Sequence, residues 1–140
     1  MKLNDAAREL IGPGTDATLV TLNSDGSPQV SLVWVALQST PDGDELVTAH
    51  LAAHQKVRNV RRDPRVALTI QAEERGNMMR PYLAITGTAR IVEGGAPELL
   101  VELAKTMAGP AVHFPPDNAP PGYLTRIRID RVGGVGPWTT

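Results

Sequence analysis

The chain has 140 residues, 41% of them hydrophobic and 21% charged, with a net charge of −1. That length suits one domain around one core, and a near-neutral charge argues against a general nucleic-acid binder. The absence of cysteine excludes disulfide frameworks, thiolate metal sites and cysteine nucleophiles, and it accords with a reducing cytoplasm.

The N-terminal segment "LNDAARELI" places Leu3, Ala6, Ala7, Leu10 and Ile11 at helical spacing. Asn4 or Asp5 can cap this helix, and Gly12-Pro13-Gly14 ends it. Its acids and the lack of a long apolar run predict a folded amphipathic helix rather than a signal peptide. No segment approaches the ~20 apolar residues that span a bilayer, so no membrane partner is expected. Residues 18–22 are β-rich, and Asp25-Gly26 follows as a strong hairpin signal. A second strand starts after Pro28, and a third covers "ELVTAHL". Residues 16–51 therefore read as a three-stranded meander.

A short basic helix follows in "HQKVRNVRRDP", with Val57 and Val60 on one face and Pro64 limiting its end. "RVALTIQAE" is the fourth strand, "ERGNMMR" a loop, and "PYLAITGTARIVE" a long fifth strand. Gly87 within it predicts a bulge or a close backbone approach. "GAPELLVELAKTMAG" reads as an amphipathic helix with Pro97 in its first turn. "PAVHFPPDNAPPG" is irregular, and "YLTRIRIDRV" alternates like a strand with one wet face. The sum is a mainly β domain over residues 1–140, with six strands and three short helices. An antiparallel sheet that closes on itself buries such strands without open edges.

The basic helix raises a question of charge. Lys56, Arg58, Arg61 and Arg62 face a single acid, Asp63. Arginines in a last turn favour the helix dipole and can be plain solvated residues. Arg58 and Arg62 are four apart, a spacing at which like charges cost roughly 0.2–0.5 kcal/mol, and an anion would remove that cost. Lys56 sits in the first turn, where the dipole disfavours a cation but backbone N–H groups are free. A lysine beside free N–H groups makes a phosphate site.

Along "PQVSLVWVAL", Gln29, Ser31, Val33 and Val35 share one face, while Val30, Leu32 and Trp34 share the other. The first face is either an outward polar surface or one that hydrogen-bonds a planar ligand. His50, His54 and His113 show no metal-ligand spacing, and no metal site is expected. No Gly-x-Ser-x-Gly or Gly-x-Gly-x-x-Gly occurs, which leaves serine hydrolysis and a Rossmann site unsupported. Trp138, near the end, packs on its own core or on a partner subunit, or stacks on a ligand.

Three stretches, "ATLVTLNSDGSPQVSLVWV", "HQKVRNVRRDPRVALTI" and "YLAITGTARIVEGG", resemble in order and spacing the pyridoxamine 5'-phosphate oxidase-like split β-barrel flavoproteins. The tail "PPGYLTRIRIDRVGGVGPW" is similar to that of one branch, the deazaflavin-dependent (coenzyme F420-dependent) reductases. The resemblance implies a six-stranded split barrel and a homodimer with the cofactor between its subunits. It also implies hydride transfer between coenzyme F420 and a small unsaturated or conjugated organic substrate. Residue by residue, it implies that Gln29, Val30, Ser31, Leu32 and Val33 line the ring and that Thr48 and Ala49 add small contacts. Lys56 would bind the cofactor phosphate with Gln55 beside it. Arg58, with Arg61 and Arg62, would meet the coenzyme's acidic tail. Arg80 and Trp138 would reach the site from the second subunit. No catalytic side chain is implied, because the cofactor carries the chemistry.

This chain departs from the family in two places. It ends "GPWTT" without the arginine-and-histidine motif of vitamin B6 oxidation, and His54 stands where some relatives carry arginine. FMN is the alternative cofactor. A non-catalytic flavin or haem binder, with His50, His54 or His113 as axial ligand, is the alternative function.

Overall fold

The computed structural model describes residues 1–76 and 78–139. Asn77, in the loop expected over 74–80, and Thr140, in the tail, lie outside the described residues. Helix α1 (Asp5–Ile11) is capped by Asn4, whose side chain accepts a hydrogen bond from the Ala7 N–H. This satisfies one of the donors that a helix start leaves unpaired. Strand β1 (Thr15–Leu22) turns into β2 (Pro28–Thr40). In that turn Asp25 accepts from the Ser27 N–H at 2.9 Å, and Gly26 adopts φ 86°, a region open to glycine without strain. Strand β3 (Gly43–His50) completes the meander. Then come α2 (Gln55–Arg62), β4 (Arg65–Gln71), β5 (Tyr82–Glu93), α3 (Ala96–Met107) and β6 (Tyr123–Val135).

The strands pair antiparallel in the order β1-β2-β3-β6-β5-β4, and β1 against β4 closes the barrel. This is the expected six-stranded antiparallel architecture. Alternate residues fill the interior: Leu19, Val35, Leu46, Leu68, Ile70, Leu83, Ile85 and Ile127 are essentially inaccessible. Each such burial favours the fold by about 1.5–3 kcal/mol. Leu3, Ala7 and Ile11 bring α1 into the same core. Gly87 meets both expectations: the β5–β6 register shifts between Thr86 and Gly87, and a Cβ there would collide with the Arg128 carbonyl.

The face assignment along β2 is corrected. Gln29, Ser31, Val33 and Val35 point inward rather than to solvent as a polar surface. Val33 and Val35 are buried in the core, and Gln29 Oε1 accepts a hydrogen bond from the buried Thr21 hydroxyl at 3.1 Å. Burying two valines outweighs the desolvation of one amide that has a partner. Ser31 Oγ, sealed inside, has no partner among the described residues. The opposite face looks outward, with Val30 61% and Leu32 70% exposed.

One irregularity positions everything that follows. Strands β2 and β3 pair only from Ala36↔Val47 to Thr40↔Gly43. Before that, β2 pairs with β1 from Leu22↔Pro28 to Thr15↔Val35, while β3 continues on β6 as far as His50↔Tyr123. Residues 28–35 and 48–50 therefore each keep one edge without a strand partner, and the barrel is split there. Among the described residues no helix is long and apolar enough to cross a membrane.

Candidate functional site

A cavity of about 340 Å³ occupies the split, within the roughly 300–1,000 Å³ range of small-molecule sites. Strand β2 contributes Leu32, Val33 and Trp34, and β3 contributes Thr48, Ala49 and His50. Leu51 and His54 come from the turn into α2, and Lys56 from the first turn of that helix. Asp16, Leu100 of α3 and Phe114 of the proline-rich loop complete the rim. Phe114 stands edge-on to Trp34, with ring centroids 6.1 Å apart and planes at 82°, a favoured aromatic geometry. The cavity thus has an apolar wall on one side and a cationic, histidine-bearing mouth on the other.

Helix α2 holds that mouth in place. Val57 and Val60 bury its apolar face, and Asn59, with no exposed surface, ties it to β1 and the first hairpin. The Asn59 amide donates to Thr21 Oγ1 at 3.0 Å and to Asn23 Oδ1 at 2.9 Å. Its oxygen accepts from Gln55 Nε2 at 2.8 Å and Arg62 at 3.0 Å. Gln55 in turn accepts from Arg58, whose second nitrogen donates to the Ala53 carbonyl at 2.6 Å. A continuous network therefore runs from the barrel interior to the backbone of the 51–54 turn.

The same network gives most of the helix's positive charge an internal function. Arg62 also donates to the Leu22 carbonyl. Arg61 lies 5.0 Å from the Tyr123 ring centroid and pairs with Glu93 at 3.6 Å. Arg58 and Arg62 point to different backbone acceptors, so the repulsion expected of their spacing is relieved without an anion.

Lys56 differs. Half-buried at the mouth of the cavity, it makes no hydrogen bond or ion pair among the described residues. Burial lowers its amine pKa from the ordinary lysine value, the mark of a cation waiting for a partner. Val57 and Arg58 N–H donate to the His54 carbonyl, while the Gln55 and Lys56 N–H groups have no backbone acceptor there. His54 occupies the N-cap position without a side-chain capping bond, so among the described residues no capping side chain takes these donors. His50 is buried, its Nε2 lying 2.8 Å from Thr125 Oγ1. Burial foremost, then the charges of Lys56 and His54, push it down to about 4.

Of the residues expected at the site, the structure gathers Leu32, Val33, Thr48, Ala49 and Lys56 into this cavity. Gln29 and Ser31 face the barrel interior, and Val30 faces outward beyond the rim. Gln55 and Arg58 support the mouth from behind. Arg80 lines an adjoining polar groove that shares Asp16 and Leu32 with the split. Trp138 is buried in its own core, where its indole N–H donates to the Tyr82 carbonyl at 2.7 Å. Sequence reading missed Asp16, Trp34, Leu51 and Leu100 as wall residues, raised His50 and His54 only as possible axial ligands or at the phosphate end, and did not single out Phe114 within its loop. The available signal was Phe114, the chain's single phenylalanine, set in a proline-rich loop where an apolar ring has no helical or strand face to serve. Of the other histidines, His113 pairs with Asp117 at 2.8 Å on an exposed loop. Among the described residues no group of three or more His, Asp or Glu could hold a metal ion.

No curated protein matches the sequence. Among solved structures, an F420 reductase superposes with TM-score 0.71 at 23% identity, covering 90% of this chain and 94% of that one. An FMN-binding protein from Syntrophomonas wolfei superposes at 0.61 and 13% identity, over 86% and 76%. HutZ, the haem storage protein from Vibrio cholerae, does so at 0.60 and 17%, over 97% and 96%. At these identities the likeness is one of fold. The family model of pyridoxamine 5'-phosphate oxidase matches residues 3–136, nearly the whole length, and the chain belongs to that family.

Proposed function

We propose that this protein is a flavin-type oxidoreductase that takes coenzyme F420 and exchanges hydride with a small unsaturated or conjugated organic substrate. The observation that carries the reading is Lys56, a half-buried cation without an acid partner among the described residues, beside two helix N–H groups without a backbone acceptor at the mouth of an apolar split. These residues fit a phosphate-bearing planar cofactor: the anion meets Lys56 and the amides, and the ring enters between Leu32, Trp34 and Phe114. When bound, the deazaflavin supplies the hydride chemistry. The chain's own residues bind it, orient it through the unpaired edges of β2 and β3, and exclude water with the Trp34–Phe114 wall. The likeness to the F420 reductase supports this cofactor, and that to the FMN-binding protein supports FMN as the alternative.

The exposed apolar residues Val30 and Leu32 on the outward face of β2 support a homodimer with the site at its interface. In that arrangement Arg80 is the candidate contribution from the second copy. The likeness to HutZ supports a second reading, a non-catalytic haem binder that uses the pocket imidazole of His50. A Soret band on haem addition that vanishes in His50→Ala would favour it.

The test is a titration of purified protein with FMN and with coenzyme F420, followed by intrinsic tryptophan fluorescence, to which Trp34 in the pocket contributes. The deazaflavin is expected to bind, and Lys56→Ala to weaken it about tenfold at low salt with an unchanged melting temperature. Tight FMN binding without a response to the deazaflavin would reverse the cofactor assignment. Binding of neither would remove the reading altogether.

A further inference from the structure

His50 is 3% exposed and Thr125 is 1% exposed, so the bond between them must satisfy both groups without help from bulk water. In one direction Nε2–H donates to Thr125 Oγ1. The threonine hydroxyl then needs an acceptor for its own proton, and its side chain has no other hydrogen-bond partner among the described residues. A buried hydroxyl proton without an acceptor is costly. In the other direction the Thr125 hydroxyl donates to Nε2, both groups are satisfied, and the proton of the neutral ring sits on Nδ1. Nδ1 makes no hydrogen bond among the described residues. The one sealed-in side-chain polar atom without a partner among them is Ser31 Oγ, so Nδ1 stays open to the cavity that His50 lines.

We propose that His50 is a ligand-binding residue whose neutral Nδ1–H donates a hydrogen bond to a carbonyl oxygen of the planar molecule held in the split. The identity of that molecule rests on the oxidoreductase reading; the donor itself does not. Lys56 already serves an anion, and an uncharged donor complements an uncharged acceptor. Because the ring is held neutral at pH 7 by burial and by Lys56 and His54, it can polarise a carbonyl without giving up its proton, as a neutral imidazole electrophile does. The carbonyl belongs either to the cofactor ring or to a reducible substrate such as a quinone.

Nitrogen NMR of the His50 ring tests the donor directly, with a protonated Nδ1 expected in the free protein between pH 6 and 8. His50→Phe keeps the size and removes the donor, while His50→Asn places an amide N–H near the Nδ1 position. Affinities for FMN and coenzyme F420, and for menadione through intrinsic tryptophan fluorescence, are expected to fall about tenfold in His50→Phe for whichever ligand receives the bond. His50→Asn should restore them to within about threefold. A loss confined to the cofactors assigns the carbonyl to the cofactor ring, and one confined to menadione assigns it to the substrate.

Thr125→Val should mix the two tautomers and give an intermediate loss. Should His50→Phe not fold, the wild-type tautomer and the contrast between His50→Asn and Thr125→Val decide. A ring protonated on Nε2, or unchanged affinity for all three ligands in a folded His50→Phe, overturns the proposal. If the wild type binds neither cofactor, the oxidoreductase reading falls while the tautomer and the menadione series still judge His50.

Discussion

Two charged side chains, Lys56 and Asp44, show how placement decides what a charge does. Lys56 is half-buried and has no hydrogen-bond or ion-pair partner among the described residues, which leaves it available to an anion. Asp44 is 3% exposed and fully engaged: it accepts from the Leu3 N–H at 2.8 Å, from Ser39 Oγ at 3.1 Å and from Arg8. Burial by itself would raise its pKa, but these hydrogen bonds outweigh burial and hold the carboxyl below its ordinary value of 3.8. A depressed carboxylate stabilises the fold above its unfolded pKa, and that contribution is lost as pH falls through the folded value. Asp44→Asn should therefore cost on the order of 2 kcal/mol at pH 7. The gap to the wild type should close below about pH 3.8 in paired urea titrations; a gap constant down to pH 2 would contradict the assignment. At this scale the sequence is least legible. Lys56 stands out by its position in a first turn, whereas Asp44, His50 and Asn59 depend on partners 41, 75 and 38 residues away. Local patterns carry no record of such distances.

Among the elements, α2 shows most clearly how a short segment is held. Eight residues are too few to be stable alone, and the helix persists because Val57, Val60 and Asn59 dock on the barrel. Removing the Asn59 amide leaves the Thr21, Asn23, Gln55 and Arg62 side chains without their shared partner. Asn59→Ala should cost about 3 kcal/mol in urea unfolding. Because the network ends at Ala53, beside His54 and Lys56, the variant should also bind the cofactor more weakly even where it is fully folded. Undiminished affinity would separate the network from the site. The existence of all six strands and three helices was legible from β-rich runs, Asp25-Gly26 and the glycine and proline boundaries. The side of β2 that faces inward was not, since Gln29 and Ser31 mimic a wet face. The deciding fact is that Thr21, in the neighbouring strand, meets the Gln29 amide inside.

For the molecule as a whole, the outward surface of β2 is unusually apolar for a solvent-exposed sheet. Val30 lies outside the cavity, so it probes association without touching the ligand. The wild type is expected to sediment as a dimer and Val30→Glu to shift towards monomer, read by analytical ultracentrifugation across a concentration series. A monomeric wild type would remove the second copy from the site. The closed six-stranded order was legible through family resemblance and the need to bury strand edges. The extent of the β2–β3 opening was not, because strand length says nothing about where pairing stops.

That opening has a further consequence, for the life of the empty protein. Along one edge each, residues 28–35 and 48–50 present backbone donors and acceptors without a strand partner, and an unpaired edge is a template for another chain. A ligand seated there acts as a stopper as well as a reagent. Protein made without its ligand should be the form that self-associates through strand addition, and filling the split should protect solubility independently of any turnover.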